Sequence, residues 1–162
     1  MKKFRMFVFL GLISVIAFST YAFAANTATQ TVTFKVAEID SISTSSDQVS
    51  LVINSATAGS DFLSVTDNST TYSITTNGES RKITGSLSED MPANTSLMIN
   101  LAAPNGANSL GNVALTKNPR DLVNGIRRIA ADKKAITYTF TASVAAGVIN
   151  DTTRKVTLTV VN

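Results

Sequence analysis

Apolar and polar residues alternate strictly through much of this chain after its first 24 residues. The clearest alternation covers residues 135–144, where the apolar members are Ile136, Tyr138, Phe140, Ala142 and Val144 and the members between them are threonine or serine. Successive side chains of a β-strand point to opposite faces, so this pattern predicts a strand with one buried face.

Shorter alternations predict further strands along the chain. They lie at Val32–Val36, Val49–Ile53, Tyr72–Ile74, Ile83–Leu87, Leu97–Leu101, Val113–Leu115 and Val156–Val160. About eight short strands separated by turn residues are typical of an antiparallel sandwich. The sequence therefore predicts an all-β fold, an antiparallel β-sandwich in a single domain.

Two connections carry specific local signals. Asn77-Gly78 is a dipeptide that accepts positive φ in tight turns, so residues 71–75 and 81–87 are expected to form a hairpin. Asn118-Pro119 followed by Gly125 offers a helix start and stop, which predicts one short helical turn there. Leu122 and Ile126 would lie on one side of that turn and plug the open end of the sandwich. Loops are expected by composition at residues 56–60, 67–70, 88–94 and 104–109.

The first 24 residues have the features of a cleaved secretory signal peptide. Lys2, Lys3 and Arg5 precede an apolar run from Met6 to Phe18, and Ala22-Phe23-Ala24 gives the small-x-small cleavage pattern. The apolar run is shorter than the roughly 20 residues that span a bilayer. We therefore expect cleavage after Ala24 and an exported domain over residues 25–162, located in the periplasm, at the cell surface or outside the cell.

Removal of this segment changes the charge of the protein. The precursor has 14 basic and 11 acidic residues. Loss of Lys2, Lys3 and Arg5 leaves 11 basic residues and a formal charge of zero. Neither nucleic acid nor stable membrane insertion is therefore expected of the mature part. The chain has no cysteine, so it has neither a disulfide framework nor a lipid-modified cysteine.

The chain offers little catalytic chemistry. It contains no histidine and no cysteine, which excludes Ser-His and Cys-His nucleophiles and the usual zinc ligands. Glu89-Asp90 is the only adjacent acidic pair after the signal peptide, and its position before Met91-Pro92 indicates a solvated turn. Asp61, Asp67 and Asn68 could offer oxygens to calcium, but such residues are ordinary in turns. We expect no enzyme, no cofactor and no metal.

Two other features have a functional and a structural interpretation. Arg127, Arg128, Lys133 and Lys134 could form a positive patch for an anionic glycan or nucleic acid, but a charged hairpin that keeps a strand edge soluble is the better interpretation. The aromatic residues after the signal peptide are few and lie mostly on apolar strand positions, which disfavours stacking on sugars or bases. They are Phe34, Phe62, Tyr72, Tyr138 and Phe140.

A Ser/Thr-rich texture runs through the predicted sandwich. Examples are Val65-Thr-Asp-Asn-Ser-Thr-Thr-Tyr72, Met91-Pro-Ala-Asn-Thr-Ser-Leu97 and the closing Arg154-Lys-Val-Thr-Leu-Thr-Val-Val-Asn162. In these blocks the chain resembles immunoglobulin-like subunits of bacterial surface fibres and fimbriae. The disulfide common in fimbrial subunits is missing.

In those families each subunit lends a strand to complete the sandwich of its neighbour. The resemblance implies that the donor would be Thr31–Ile39, with Val32, Phe34 and Val36 filling pockets in the next subunit. An ordinary first strand that pairs within its own domain is the favoured alternative for this segment.

As a class, the expected protein is a non-catalytic structural or adhesive protein outside the cytoplasm, whose partners are itself or other surface proteins. A secreted ligand-binding module for a glycan or an ion is the second hypothesis, and an enzyme is the third.

Overall fold

The structure is a computed structural model that describes residues 26–162. The predicted signal peptide lies outside the described residues. Val36–Asn162 forms one compact unit, and the chain before Val36 belongs to a separate one. The strands are β1 (Asp40–Thr44), β2 (Phe62–Thr76), β3 (Arg81–Leu87), β4 (Thr95–Leu101), β5 (Asn108–Ser109), β6 (Val113–Ala114), β7 (Arg120–Ile126), β8 (Ile129–Ser143) and β9 (Val156–Val161). A short 3-10 turn, Val144–Ala146, follows β8.

These strands form two antiparallel sheets that pack face to face. One sheet has five strands in the order β1-β2-β8-β4-β6, and the other has four in the order β5-β7-β3-β9. Every pairing is antiparallel. The predicted all-β antiparallel sandwich is therefore confirmed. Among the described residues, no helix is long and apolar enough to cross a bilayer.

The core lies between the sheets and is built from the apolar members of the alternating strands. Its fully buried side chains include Tyr72, Ile74, Ile83, Ile99, Leu101, Leu122, Val123, Ile126 and Ile136. Each large apolar side chain that is fully buried contributes roughly 1.5–3 kcal/mol relative to its exposed state. The opposite phase of β8, Thr137, Thr139 and Thr141, is only half-buried, as the alternation predicts.

Gly85 in β3 is required by close packing. A Cβ atom built on it would lie 2.7 Å from Leu122 Cδ1 and 3.2 Å from Leu115 Cδ2. The absence of a side chain lets these two leucines fill the centre of the core.

Two bulges allow long β2 and β8 to keep an apolar face inward. At the first bulge β2 has one extra residue, between Asp67 and Thr70, and at the second β8 has one extra residue, opposite the step from Tyr72 to Ile74. The second bulge places Lys133 at a φ of 51°. The loop expected at residues 67–70 is therefore wrong: this segment is a bulged part of β2.

The predicted hairpin at Asn77-Gly78 is also wrong. The strands on either side of this turn, β2 and β3, belong to different sheets and do not pair. The turn is a crossing from one sheet to the other, and Asn77 uses its side chain to bind the backbone of residues 37–39. The charged hairpin expected around Arg127 and Arg128 is wrong for the same reason, because β7 and β8 lie in different sheets and do not pair.

The helical turn predicted after Asn118 is wrong, because Arg120–Ile126 forms β7. The pairing of β7 with β3 is irregular between Leu122 and Ile126, so their common burial does not follow from the period of a regular strand. Gly125, at a φ of 72°, lies in this irregular stretch of β7 and does not end a helix. Both side chains are buried in the core.

Two of the predicted strands do not form. Residues 31–39 and 49–53 have no strand structure, although both alternate. The structure instead adds β1 at Asp40–Thr44, a segment that contains four polar residues and only one apolar residue, Ile42. Ile42 packs against the core from the edge of the five-stranded sheet.

Candidate assembly surfaces

The N-terminal segment, residues 26–39, presents its apolar side chains to solvent. Val32, Phe34 and Val36 are 72%, 89% and 77% exposed. The segment contains no strand, and residues 26–36 form no hydrogen bond with other described residues. A run of alternating apolar side chains at this exposure has the sequence of a strand, but no strand in the described part of the chain pairs with it.

Asn77 fixes the point at which this segment joins the sandwich. Its Nδ2 donates to the carbonyl oxygen of Ala37 at 2.7 Å, and its Oδ1 accepts from the Ile39 amide at 2.8 Å. The Asn77 amide donates to the Ile39 carbonyl at 3.2 Å. These three bonds hold residues 37–39 beside the turn that leaves β2.

A partly buried ion pair strengthens the same region. Arg81 is only 8% exposed, and its Nε donates to Asp40 Oδ2 at 2.8 Å. Its guanidinium also pairs with Glu38. The Thr76 hydroxyl donates to Asp40 Oδ1 at 2.5 Å. We call the end of the sandwich that contains Arg81, Asp40 and Asn77 the anchor end. The N-terminal segment joins the sandwich there.

One of the two edges of β2 pairs with another strand over only part of its length. β8 pairs with nearly its whole length, whereas β1 pairs with Tyr72–Thr76 alone. The last bond along that edge is from the Ser45 amide to the Thr71 carbonyl, at 2.9 Å. No described strand pairs with this edge of residues 62–67, which we call the free half of β2. Leu63 and Val65, whose phase faces the core, are half-buried there.

The four-stranded sheet ends in a second unpaired edge. β9 pairs with β3 and with no further strand of the described residues. Val156, Leu158 and Val160 pack on the core but stay half-buried, since nothing extends the sheet beyond them. β1 contacts β9 across this side of the sandwich, so the side is closed at the anchor end.

Residues 46–61 connect the end of β1 to the start of β2. Leu51 packs against the core, and Ile53 is half-buried, while Val52 is exposed. The backbone of residues 49–56 makes no hydrogen bond to a strand of the described part of the chain. The connection therefore offers apolar cover without the main-chain bonds of a strand.

The end of the sandwich opposite the anchor end is apolar at its surface. Phe62, at the start of β2, is 73% exposed, and Val144, directly after β8, is 60% exposed. The Val144 amide donates to the Asp61 carbonyl at 3.0 Å, so the two side chains belong to one tip. Val148 and Ile149 in the following connection are also exposed. We call this region the free end.

The acidic residues considered as candidate sites do not converge. Glu89 pairs with Arg154 at 3.6 Å, and Asp90 Oδ1 accepts from the Lys117 amide at 2.9 Å. The Asp67 carboxylate accepts from the Ser69 hydroxyl at 2.9 Å. Across residues 26–162, no three carboxylates gather in a group that could hold a metal ion.

Two of the four residues of the basic patch are paired with an acid. Arg127 and Arg128 both pair with Glu79 across the crossing between the sheets.

The described part of the chain contains shallow surface grooves, two of which have volumes of about 380 and 420 Å³. The larger is lined by Phe62, Asn94 and Thr141 among others, and it contains one carboxylate, Asp61.

Two buried tyrosines have raised pKa values. Burial raises the pKa of Tyr72 to about 12, and its hydroxyl donates to the Ala102 carbonyl at 2.7 Å. Burial, and secondly the negative charge of Asp67, raise the pKa of Tyr138. Both effects stabilise the neutral phenol, so these side chains act as neutral core groups.

Comparisons with models of protein families, with curated protein sequences and with solved structures find no match to this chain. The surfaces described above therefore carry the functional argument on their own. Sequence alternation identified Val32, Phe34 and Val36 as the apolar phase of one segment, and the resemblance to fimbrial subunits made them donor candidates. Sequence alternation missed the free half of β2, because an unpaired edge leaves no signal in the residues of the strand itself.

Proposed function

We propose that this chain is an exported, non-catalytic structural protein that assembles into fibres by donating residues 31–36 as a strand to a neighbouring copy. The observation that carries the proposal is the exposure of Val32, Phe34 and Val36 on one phase of an unpaired segment. Main-chain hydrogen bonds would supply affinity, and the alternate apolar side chains would supply specificity.

Three further features support this function. The N-terminal basic and apolar pattern favours export. The zero formal charge after signal cleavage removes a common electrostatic barrier to self-association. The sandwich also keeps unpaired strand edges, among them the free half of β2 and β9. Natural proteins usually protect such edges with charges or bulges.

Light scattering of the exported chain tests the proposal. A variant with Val32→Ser, Phe34→Ser and Val36→Ser is compared with a matched variant, Thr31→Ser, Thr33→Ser and Lys35→Gln, altered on the opposite phase. We expect large assemblies from the unmodified chain and from the matched variant, and monomers from the apolar variant. Equal denaturation curves of the dissociated proteins would show that the sandwich itself is intact.

Two outcomes contradict the proposal. The first is a monodisperse monomer from the unmodified chain at all accessible concentrations. The second is assembly of the apolar variant to the same mass as the unmodified chain, since the segment would then be dispensable.

A further inference from the structure

We infer that the acceptor of the donated segment is the free half of β2, residues 62–67, in a second copy of this chain, so that copies join head to tail. The inference rests on the proposed function and names the surface that this function uses. The added strand would lie in line with β1, beside the part of β2 that β1 leaves unpaired.

The choice of β2 over β9 follows from the contacts at this side of the sandwich. β1 already contacts β9, so a strand added along β9 would meet β1 at the anchor end. The free half of β2 has no such obstruction from a strand, because β1 ends at Thr44, opposite Tyr72. A strand placed there extends the five-stranded sheet by continuing the row that β1 begins.

The apolar chemistry of the two surfaces is complementary. Leu63 and Val65 face the core side of the sheet and are only half-buried, and their neighbours Phe140 and Ala142 on β8 are half-buried as well. An adjacent strand with apolar side chains on every second position would cover these groups. Val32, Phe34 and Val36 have that spacing.

The connection between β1 and β2 is weakly held. Residues 49–56 of the β1–β2 connection place Leu51 on the core but form no main-chain bond with a strand. Displacing them would break no sheet hydrogen bond, whereas the incoming strand would form new ones along β2.

A chain cannot fill its own acceptor. Ala37 is bound to Asn77 at the anchor end, and Phe34 is three residues away, which allows a reach of about 10 Å. From Thr76 to Val65 the strand covers about 35 Å at 3.3 Å per residue. The donor must therefore come from another copy.

The placement of donor and acceptor fixes the geometry of assembly. The N-terminal segment starts at the anchor end, and the free half of β2 leads to the opposite, free end, where Phe62 and Val144 are exposed. A contact between two different surfaces on opposite ends is heterologous, and repetition of such a contact produces an open chain of subunits.

Disulfide trapping between copies tests the acceptor. The chain contains no cysteine, so any disulfide reports an introduced pair. One copy carries Thr33→Cys, on the polar phase of the donor, which leaves the apolar phase intact. The other carries a single cysteine at an exposed strand position. The positions are Ser64→Cys or Thr66→Cys on β2, Thr157→Cys or Thr159→Cys on β9, and Ala114→Cys on β6.

Equal amounts of the two chains are mixed, assembled and oxidised mildly, and non-reducing gels are scored for heterodimers. Disulfides need Cα atoms about 4.4–6.8 Å apart, so we expect at least about tenfold more cross-linking with one of the two β2 positions than with β9 or β6. Oxidation of the double variant Thr33→Cys/Thr66→Cys in dilute monomer should give no intrachain disulfide.

The outcomes separate this inference from the proposed function. Preferential cross-linking to β9 or β6, or uniform weak cross-linking in samples that still form large assemblies, overturns the β2 acceptor but leaves strand donation standing. Assembly that survives loss of the apolar phase in the light-scattering test overturns strand donation and this inference with it.

Discussion

Two segments of this chain have the same alternating pattern and opposite environments. In β8, Ile136 is 1% exposed and lies in the core, whereas Phe34 in the N-terminal segment is 89% exposed. β8 has β2 on one side and β4 on the other, while residues 31–36 have no neighbouring strand among residues 26–162. The comparison shows that alternation specifies the ability to form a strand, and that available partners decide whether the strand forms within the chain.

The largest expected effect tests this contrast directly. Ile136→Ala should destabilise the sandwich by about 3 kcal/mol, because it removes a fully buried side chain and leaves a cavity. Phe34→Ala in dilute monomer should change the free energy of unfolding by less than about 0.5 kcal/mol. Urea denaturation followed by circular dichroism measures both. A loss of more than about 1 kcal/mol for Phe34→Ala would mean that the segment packs on its own sandwich.

The second prediction concerns the stability of the sandwich at alkaline pH, which depends on the buried Tyr72. Burial raises the pKa of Tyr72 to about 12, from an ordinary value of 10.0. Between these pH values the unfolded chain loses the phenolic proton while the folded chain keeps it, so stability falls as pH rises. The loss from this group reaches about 2–3 kcal/mol near pH 12.

Tyr72→Phe should flatten this alkaline decline and cost about 1 kcal/mol at neutral pH, because the bond to the Ala102 carbonyl is lost. Urea denaturation at about pH 8, 10 and 11.5 measures the slope. Tyr138→Phe is the matched variant, and it should remove the separate contribution of Tyr138, whose pKa is also raised. An unchanged slope in the Tyr72→Phe protein would show that Tyr72 titrates normally.

The smallest effect on stability is expected at Asn77, which binds the end of the N-terminal segment to the sandwich. Asn77→Ala should remove the bonds to Ala37 and Ile39 and cost about 1 kcal/mol or less, since the site is exposed. The Ile39 amide should exchange its hydrogen faster, while amides in the centre of β8 should be unaffected. Hydrogen exchange measured by NMR tests this local effect.

Asn77→Asp is the matched control for that variant. It keeps the acceptor for the Ile39 amide and loses the donor to the Ala37 carbonyl. Its exchange rate at Ile39 should therefore lie nearer to that of the unmodified chain. Equal exchange in all three proteins would mean that Asn77 does not hold the start of the N-terminal segment.

Sequence reasoning located the strands with the strongest alternation. The predictions for β4 and β9 lie within two residues of the observed bounds, and the alternation at residues 135–144 predicts only the second part of β8. These segments bury one face, and period-two alternation follows directly from that burial. β1 was missed, since it contains one apolar residue and pairs mainly through its backbone. The turns at Asn77-Gly78 and Arg127-Arg128 were assigned as hairpins, because a local signal indicates a change of direction without naming the sheet of the next strand.

For the candidate site, the sequence alone identified Val32, Phe34 and Val36 as apolar positions of one strand phase and excluded chemistry based on histidine or cysteine. Residue types and their spacing are local properties, and they suffice for both conclusions. Only the tertiary structure revealed the free half of β2, the buried Arg81 at the anchor end and the separation between these two regions. Strand pairing joins residues distant in sequence, so the position of an unpaired edge depends on the whole set of pairings and appears only in the folded chain.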